Sequence, residues 1–448
     1  MPTRIVILGG GFGGAYVAQA LEKKRRSLPA DTEIVLLDRN NYFVFYPLLI
    51  EAGTGSLEPR HAVVPIREFL RTTTFHMAEV RRVDTSSRHI DYCAVGETEP
   101  ARLHYDHLVV ALGSVTNLPP EDAVPGARTH CLQIKNLTDA VALRDRAIML
   151  LEMASATDDE AKRRELLRIV IVGGSFTGVE LAGEYEAFIR GAARRYRNIK
   201  PSDIGVTLVE VQPRVLGALG DELADFAARH LRKRGLDLRL GVTVSSVSPD
   251  RVVLSDGTTI PTRTVVWCAG IAPNPLVSSL GLPTDARGYI LCERDLRVQG
   301  FGNVWAIGDV AVNPNDDGAP QPATAQHAVR QGAHAAKNIA AVLNGRPTQP
   351  CNITTQGMLA AIGCRTAVGK VFGIRIAGFP AWWMWRTVYL LKMPRLGRKV
   401  RVALDWTVGL FFKRDYVQLG VHRLPSGGAR CADVPEPGTQ QPQRSSAL

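Results

Sequence analysis

One glycine-rich segment decides the fold of this chain: Gly9-Gly10-Gly11-Phe12-Gly13-Gly14. Residues 4–8 before it form an apolar, β-branched run that predicts a strand, and residues 15–21 after it follow a helical pattern. Gly9, Gly11 and Gly14 fit the GxGxxG pattern. The first glycine permits a tight turn, the second lets a pyrophosphate approach the backbone, and the third lets helix and strand pack closely. The helix N-terminus then offers free N–H groups to phosphates.

An acidic side chain completes this first unit. Residues 33–37 predict a second strand that ends at Asp38, 24 residues after Gly14, where a carboxylate can accept hydrogen bonds from ribose hydroxyls. A glycine-rich turn alone is a weak signal, but the strand, helix and acid together predict a dinucleotide site.

The pattern recurs further along the chain. Residues 167–172 predict a strand, and Gly173-Gly174-Ser175-Phe176-Thr177-Gly178 follows it, with the small Ser175 in place of the middle glycine. The strand at residues 205–209 ends at Glu210, whose carboxylate favours an unphosphorylated ribose and therefore NADH over NADPH. Arg214 lies near enough in sequence to weaken that preference.

A third piece returns to the first unit. Residues 303–307 predict a strand that ends at Gly308-Asp309, and residues 324–343 predict a helix; such a strand end can hydrogen-bond a flavin's ribityl and phosphate groups. Residues 108–113 and 264–270 are apolar strands that end in glycine, and we expect them to cross between the units. The predicted fold class is α/β: two Rossmann-like dinucleotide-binding domains, the second inserted in the first, plus a C-terminal amphipathic helical segment that binds a membrane.

Composition narrows the alternatives. The 448 residues predict about three domains, and 45% apolar with 22% charged residues is typical of a globular protein. No two of the seven cysteines are spaced as CxxC or CxxxxC, so neither a disulfide scaffold nor a metal site is predicted. No run of 18 apolar residues occurs, and residues 3–8 lead directly into glycines without a signal peptide. The net charge of +11 calls for an explanation.

These segments resemble the two-dinucleotide-binding flavoprotein superfamily, and within it the type II NADH dehydrogenases, over nearly the whole chain. Four more segments carry the resemblance: residues 41–49 (NYFVFYPLL), 173–184 (GGSFTGVELAGE), 266–271 (VWCAGI) and 325–332 (AQHAVRQG). The last is similar to the family's quinone-site motif AQxAxQ, but Arg330 stands at the motif's second Gln and Gln331 follows it.

The resemblance implies FAD as the first dinucleotide and NADH as the second. It implies hydride transfer from NADH to FAD and then two electrons to a membrane quinone, without proton pumping. The implied domains are an FAD-binding domain (residues 1–115 and 275–345), an NADH-binding domain (116–274), a C-terminal domain with amphipathic helices (346–424) and a disordered tail (425–448).

The site predictions follow from the motifs and the resemblance. Glu180 is the predicted electrostatic or proton-relay residue, because a Glu at this motif position lies near the flavin ring in the superfamily; its alternative is a salt-bridged helix acid. Gln326 is the second predicted catalytic residue, as a hydrogen-bond partner of quinone or flavin, and its alternative is a surface glutamine. The predicted FAD contacts are Gly9, Gly11, Phe12, Gly13, Gly14, Asp38, Arg39, Gly113, Gly308, Asp309, Ala325 and Gln326. The predicted NADH contacts are Gly173, Ser175, Gly178, Glu180, Glu210 and Gly270, and the predicted quinone contacts are Gln326, His327, Arg330 and Gln331.

The C-terminal segment accounts for much of the charge. Eight basic and two acidic residues lie between Arg386 and Asp415, beside four of the six tryptophans. Apolar residues recur there at helical spacing: Val400, Leu404, Val408, Phe411 and Phe412. The pattern predicts peripheral binding to an anionic membrane surface, at the cytoplasmic face of the cell membrane. The alternative is packing against the flavin domain or against a second copy in a homodimer.

Three other functions stay open. The first is a soluble FAD-dependent diaphorase or ferredoxin reductase, and the second is a non-catalytic nucleotide-binding redox sensor. The third resembles a sulfide:quinone reductase, if its cysteines meet in space: Cys131, Cys268, Cys292, Cys351 and Cys364. Nucleic acid is not a predicted partner, because the basic residues cluster with Trp and Phe and no nucleic-acid module is visible.

Overall fold

The structure is a computed structural model that describes residues 2–420. The first part of the chain alternates short strands with helices. Its elements are β1 (Arg4–Leu8), α1 (Phe12–Lys23), β2 (Glu33–Asp38), β3 (Tyr42–Val44), α2 (Leu49–Gly53), β4 (Val63–Pro65), α3 (Ile66–Phe69), β5 (Thr74–Asp84), β6 (His89–Ala94), β7 (Ala101–His104), β8 (His107–Val110) and β9 (Ser114–Thr116).

The middle part repeats this alternation with longer helices. Its elements are α4 (Ala127–His130), β10 (Cys131–Leu132), α5 (Leu137–Ser155), α6 (Glu160–Leu166), β11 (Arg168–Val172), α7 (Phe176–Ala193), β12 (Gly205–Glu210), α8 (Asp221–Lys233), β13 (Asp237–Leu240), β14 (Val244–Ser248), β15 (Arg251–Leu254), β16 (Thr259–Pro261), β17 (Thr264–Trp267) and β18 (Ile271–Pro273).

The last part ends in two helices. Its elements are β19 (Ile290–Leu291), β20 (Val304–Ala306), β21 (Ala311–Val312), α9 (Ala325–Leu343), β22 (Gly357–Ala361), β23 (Ala367–Val371), β24 (Ile374–Gly378), α10 (Phe379–Lys392) and α11 (Leu396–Phe411).

Two main sheets organise the molecule. The first has the order β20-β8-β1-β2-β5-β6-β7, with parallel pairing from β20 to β5 and an antiparallel meander beyond it. The second has the order β10-β17-β11-β12-β13 and is entirely parallel. Residues Ile5, Val6, Ile7 and Leu8 of β1 are fully buried. Such a continuous apolar run is typical of a parallel strand covered on both faces.

The chain closes the first sheet only after it has built the second. β20 pairs in parallel with β8, so the strand predicted at residues 303–307 returns to the first unit as expected. β8 and β17 are interior strands of the two sheets. The crossing lies just after each of them, where β9 and β18 pair antiparallel to form a two-stranded ribbon. The second unit is therefore inserted in the first, as predicted.

The C-terminal part contains a sheet that the sequence did not reveal. β22, β23 and β24 form an antiparallel sheet before the two predicted helices, α10 and α11. Trp385 on α10 and Trp406 on α11 are buried in the hydrophobic cluster that also contains side chains of β1 and α1. Within residues 2–420, no helix is both long and apolar enough to cross a bilayer. The tail predicted at residues 425–448 lies outside the described residues.

Candidate functional site

The first glycine turn has a geometry that demands glycine. Gly9 has a φ of +97°, and a Cβ added there would lie 2.4 Å from the carbonyl oxygen of Ala111. A Cβ on Gly14 would lie 1.8 Å from the carbonyl oxygen of Gly9. α1 therefore begins directly on the end of β1, and its N-terminus carries no side-chain cap. Its first amides remain available to an anion.

Asp38 is held by the backbone around this turn. Its carboxylate accepts hydrogen bonds from the N–H of Gly10 and, at 2.7 Å, from the N–H of Asn40. Burial raises the pKa of Asp38, while these backbone donors and Arg39 act in the opposite direction. The carboxylate is thus fixed at the end of β2, where a ribose would lie beside the glycine turn.

A cavity of about 800 Å³ opens over this turn. A Cβ on Gly11 would meet nothing within 4 Å, and Gly11 lines the cavity. The open space, the free helix amides and the fixed carboxylate fit a dinucleotide such as FAD. Ten of the twelve predicted FAD contacts line the cavity: Gly9, Gly11, Phe12, Gly13, Asp38, Arg39, Gly113, Gly308, Asp309 and Ala325. Gly14 supports the turn from behind, and Gln326 lies outside the lining.

Two residues that line the cavity, Lys135 and Ser114, were not among the predicted contacts. Lys135 Nζ donates to Ser114 Oγ at 3.0 Å, and Ser114 Oγ donates to Asp309 Oδ2 at 3.0 Å. Burial lowers the pKa of Lys135, and Asp309 opposes that shift. The Lys135 ammonium also lies 5.6 Å from the ring centre of Tyr46. Lys135 precedes α5 in the second unit, and no local motif marks it.

The second glycine turn repeats the first. Gly173 has a φ of +108°, and an added Cβ would lie 2.8 Å from the backbone nitrogen of Ala269. A Cβ on Gly178 would lie 1.8 Å from the carbonyl oxygen of Gly173. Ser175 occupies the N-cap of α7 without a side-chain capping bond, so its hydroxyl leaves the helix amides free. Gly270 also has a positive φ, of +72°, at the end of the neighbouring strand.

Glu210 takes the place in this unit that Asp38 takes in the first. Its carboxylate accepts hydrogen bonds from the N–H of Gly174 and, at 2.8 Å, from the N–H of Gln212. Arg214 is turned toward α8, where it pairs with Asp221 at 3.2 Å and Asp225 at 3.5 Å. Asp221 and Asp225 therefore engage the guanidinium of Arg214, which would otherwise be able to bind a 2′-phosphate.

Glu180 does not line the cavity over the first glycine turn. Its Oε1 accepts a hydrogen bond from the N–H of Ala361 on β22 at 2.9 Å. Burial, together with the nearby charges of Glu51 and Glu184, raises the pKa of Glu180 to about 8, although the hydrogen bond from Ala361 acts in the opposite direction. This carboxyl group therefore holds a proton near neutral pH.

Glu51 is a buried acid that no local motif marks. Burial raises its pKa to about 7, although the nearby charge of Arg386 lowers it. Trp406 Nε1 donates to its Oε2 at 2.6 Å, and Arg386 lies 3.8 Å from its Oε1. Glu184 pairs with Arg414 at 2.9 Å. The C-terminal helices thus contact Glu51 directly, and the charge of Glu51 acts in turn on Glu180.

Two of the predicted quinone residues are buried. Gln331 accepts a hydrogen bond from the N–H of Gly308 at 2.7 Å and donates to Gln321 at 2.9 Å. His327 Nδ1 lies 2.8 Å from the hydroxyl of Thr324, the N-cap of α9. Burial lowers the pKa of His327. Gln331 thus braces the Gly308 turn, and this geometry lends no support to its predicted quinone contact.

The other two residues lie nearer the surface of α9. Gln326 Oε1 accepts a hydrogen bond from the N–H of Gln356 at 2.9 Å. Arg330 donates to the carbonyl oxygen of Thr354 at 2.9 Å. Both side chains therefore hold the segment that leads into β22. Their quinone contacts stay predictions.

The five cysteines named above, all within residues 2–420, lie apart from one another. Four of them pack in or against four different hydrophobic clusters, and Cys364 is exposed. Burial raises the pKa values of Cys131 and Cys268 to about 12, so neither is an activated thiolate. This arrangement disfavours a sulfide:quinone reductase. No group of metal-ligating side chains occurs among residues 2–420.

The fold and the cavity define a flavoprotein class with two facing dinucleotide-binding units. Residues 3–332 match the family described as pyridine nucleotide-disulphide oxidoreductase, and residues 355–415 match the NDH2 C-terminal domain. The chain belongs to this oxidoreductase family and, within it, to the type II NADH:quinone oxidoreductases.

Individual relatives agree with this assignment. The type II NADH:quinone oxidoreductase of Mycobacterium tuberculosis is 30% identical, with 90% of this chain and 87% of that protein covered. The demethylphylloquinone reductase of Synechocystis is 31% identical, with 90% and 95% covered. The solved structure of NDH2 from Plasmodium falciparum has a TM-score of 0.84 at 18% identity, with 93% of this chain and 100% of that chain covered. That last likeness supports the fold.

Proposed function

We propose that this chain oxidises NADH and reduces a quinone through bound FAD, without pumping protons. The observation that carries the proposal is the cavity of about 800 Å³, which combines a dinucleotide-binding glycine turn with residues of the second unit. Membership of the type II NADH:quinone oxidoreductases supports the same reaction. The FAD domain comprises residues 1–115 and 275–345, the NADH domain 116–274 and the C-terminal domain 346–424.

FAD, when bound, supplies the hydride and electron chemistry. The chain's own residues bind and orient it. The free amides of α1 face the pyrophosphate, and Asp38 accepts hydrogen bonds from a ribose. Asp309, Ser114 and Lys135 form a hydrogen-bonded chain that orients polar groups along the cavity. Phe12 and Tyr46 line the cavity with rings that exclude water.

The second turn binds NADH in this proposal. Gly173, Ser175 and Gly178 leave the α7 amides free for the pyrophosphate, and Glu210 meets the adenosine ribose. Glu210 disfavours a 2′-phosphate by charge, and the engagement of Arg214 by two acids reinforces that selectivity. NADH is therefore the preferred donor.

Proton handling falls to Glu180. Its raised pKa lets it hold a proton at neutral pH, and because that pKa is close to neutral the proton can also be released. Gln326 and its α9 neighbours His327, Arg330 and Gln331 are the proposed quinone-side segment. Of these, Gln326 and Arg330 have the less buried side chains.

The C-terminal helices would hold the protein at a membrane surface. The apolar stripe predicted on α11 faces outward: Val400 is 49% exposed, Leu404 58%, Val408 53% and Phe411 79%. The opposite side of α11 is buried through Val402 and Trp406. An unpartnered apolar stripe among basic residues suits peripheral binding to anionic lipid, here at the cytoplasmic face of the cell membrane. The alternative is that a second copy of the chain covers this apolar stripe in a homodimer.

One assay tests the reaction. The purified protein should show a flavin absorbance band and oxidise NADH faster than NADPH when a short-chain quinone is added. Absence of flavin, or a rate that does not depend on quinone, would overturn the proposal. Activity with dyes but not with quinone would favour a diaphorase.

A second assay tests the membrane surface. In the full chain, Leu404→Ser/Val408→Ser should reduce cosedimentation with anionic liposomes. Phe372 lies outside the helices, in the turn between β23 and β24, and is 77% exposed; Phe372→Ser is the control and should leave cosedimentation unchanged. If both variants cosediment as well as wild type, the apolar stripe of α11 is not the membrane-binding surface. If the double variant instead loses a concentration-dependent dimer, the stripe binds a second copy of the chain.

A further inference from the structure

A second cavity, of about 780 Å³, lies on the outer side of α1. It is bounded by the C-terminal half of α1, the loop after α3 and the connection between α10 and α11. It is separate from the cavity over the glycine turn, with which it shares no lining residue. Its lining includes five basic side chains: Lys23, Arg71, Lys392, Arg395 and Lys399.

One carboxylate lines the cavity, and its hydrogen-bonding capacity is directed elsewhere. Glu22 accepts hydrogen bonds from the backbone N–H groups of Arg71, Thr72 and Thr73, at 2.8 to 3.1 Å. It also accepts a bond from the Thr73 hydroxyl at 2.8 Å. Glu22 therefore fixes the loop that carries Arg71 and forms no ion pair with a cation of the cavity.

The five cations keep their charge uncompensated. Within the described part of the chain, none of them lies within ion-pair distance of a carboxylate. Lys399 Nζ donates to the carbonyl oxygen of Leu391 at 2.8 Å, and Lys23 Nζ donates to Gln19 at 3.2 Å. These neutral partners position the ammonium groups and leave their charge in place. The cavity therefore attracts an anion.

The helix that begins at this cavity adds to the same field. Arg395 is the N-cap of α11 and provides no side-chain capping bond, and the first turn of α11 contains no acid. The positive, N-terminal end of this 16-residue helix borders the cavity, because Arg395, Leu396 and Lys399 line it. The cations and the helix dipole thus favour the same kind of ligand.

The rim of the cavity is apolar on the side of the C-terminal helices. Leu391 is 68% exposed and Leu396 is 76% exposed, and both line the cavity. Leu396 precedes Val400 and Leu404 on the exposed stripe of α11, at spacings of one helical turn. A ligand in the cavity would have a charged end among the cations and an apolar end along this stripe.

We propose that this cavity binds the phosphate headgroup of an anionic phospholipid, with its acyl chains along Leu391 and Leu396. The proposal rests on the proposed membrane function and goes further, because it names a discrete site that joins the FAD-binding unit to the lipid. Lys23 and Arg71 belong to that unit and lie outside the amphipathic helices. Their contribution separates a discrete site from a general attraction of basic helices to the membrane.

The test compares two pairs of substitutions of equal charge in the full, flavin-loaded protein. Lys23→Gln/Arg71→Gln alters the cavity away from the helices. Arg401→Gln/Lys413→Gln alters exposed cations of the C-terminal segment that do not line it. Binding is measured on phosphatidylcholine vesicles with and without phosphatidylglycerol. The cavity pair should weaken binding to phosphatidylglycerol vesicles by about 30-fold, and the control pair by less than about threefold.

The outcomes separate the sources of the anion. Equal weakening by both pairs would overturn the discrete site. Binding of inorganic phosphate that depends on Lys23 and Arg71, with vesicle binding unchanged, would overturn the lipid assignment in favour of a free anion. The NADH:quinone rate with a short-chain quinone is recorded for every variant. If the cavity pair keeps this rate but loses its preference for phosphatidylglycerol vesicles, the proposal is supported. If the wild-type protein lacks the rate, the proposed function is contradicted, and the vesicle measurements alone decide whether the lipid site exists.

Discussion

The two glycine turns have the same backbone geometry and differ in the side chains around them. In both, the first glycine has a positive φ, the last would place a Cβ 1.8 Å from the first glycine's oxygen, and a carboxylate accepts two backbone N–H groups. The differences lie in single side chains. Gly11 is replaced by Ser175, and Tyr16, two residues after the last glycine, is replaced by Glu180. The backbone thus sets the ability to hold a dinucleotide, and the side chains around it decide what each unit does.

The largest expected effect comes from filling the tightest contact in each unit. Gly14→Ala and Gly178→Ala should each cost about 3 kcal/mol of unfolding free energy, because the added methyl group overlaps a backbone oxygen. Gly14→Ala should also abolish the flavin absorbance of the purified protein. Gly178→Ala should keep the flavin and raise the KM for NADH. Urea unfolding and absorbance spectra measure both; loss of flavin from Gly178→Ala alone would reverse the assignment of cofactors to units.

The next effect concerns the acid that distinguishes the second helix. The raised pKa of Glu180 means that its carboxyl is protonated in the folded chain below about pH 8, while in the unfolded chain it ionises near its ordinary value of 4.5. Its contribution to stability is present at low pH and is lost as pH rises through the folded pKa. Wild type should therefore lose about 3 to 4 kcal/mol relative to Glu180→Gln between about pH 5 and pH 8.

Denaturant unfolding across this pH range checks that difference. The control is Glu222→Gln, which removes an acid that is 71% exposed. Its stability should run parallel to that of wild type. Parallel curves for Glu180→Gln and wild type would mean that Glu180 is ionised throughout, and the relay role would then lose its basis.

A smaller effect tests the one glycine that has open space. Gly11→Ala meets nothing within 4 Å in the protein, so the unfolding free energy without cofactor should change by less than about 0.5 kcal/mol. FAD affinity should fall about tenfold, because the methyl group enters the space of the pyrophosphate. Flavin titration of the cofactor-free protein measures this change. Ser175→Ala is the counterpart in the second unit and should alter the KM for NADH by less than about twofold. A stability loss equal to that of Gly14→Ala would contradict the open space.

The smallest effect lies in the choice of nicotinamide. Glu210→Ala should lower the ratio of NADH to NADPH activity by about fivefold, since the carboxylate that repels a 2′-phosphate is removed. Steady-state kcat/KM values for both donors give the ratio. Asp38→Ala in the first unit is the comparison and should weaken flavin binding without changing donor preference. An unchanged ratio in Glu210→Ala would exclude the ribose contact.

The sequence predicted the elements whose signals are local, such as glycine spacing and apolar runs. The strands and helices around both turns were expected within a few residues, because glycine spacing and apolar runs are local signals. Lys135 and Glu51 gave no local signal, since their positions depend on distant segments that meet at the cavity over the first glycine turn and beneath the C-terminal helices. Gln331 is a predicted quinone contact because it lies in a motif, and that contact stays a prediction; its hydrogen bond from the N–H of Gly308 depends on the packing of distant segments and had no local signal. The sheet of β22 to β24 was missed because its short strands contain several glycines and small residues.

The interleaved order of strands also has a consequence for synthesis. All five strands of the second sheet lie between Cys131 and Trp267, so that sheet is complete once these residues have left the ribosome. The first sheet lacks its edge strand β20 until residue 306 has emerged. The unit that begins the chain is therefore the later of the two to be completed, and during translation its earlier strands wait with one edge unpaired. A pause in translation after residue 267 has emerged and before residue 304 has emerged would hold a complete second sheet beside an incomplete first sheet.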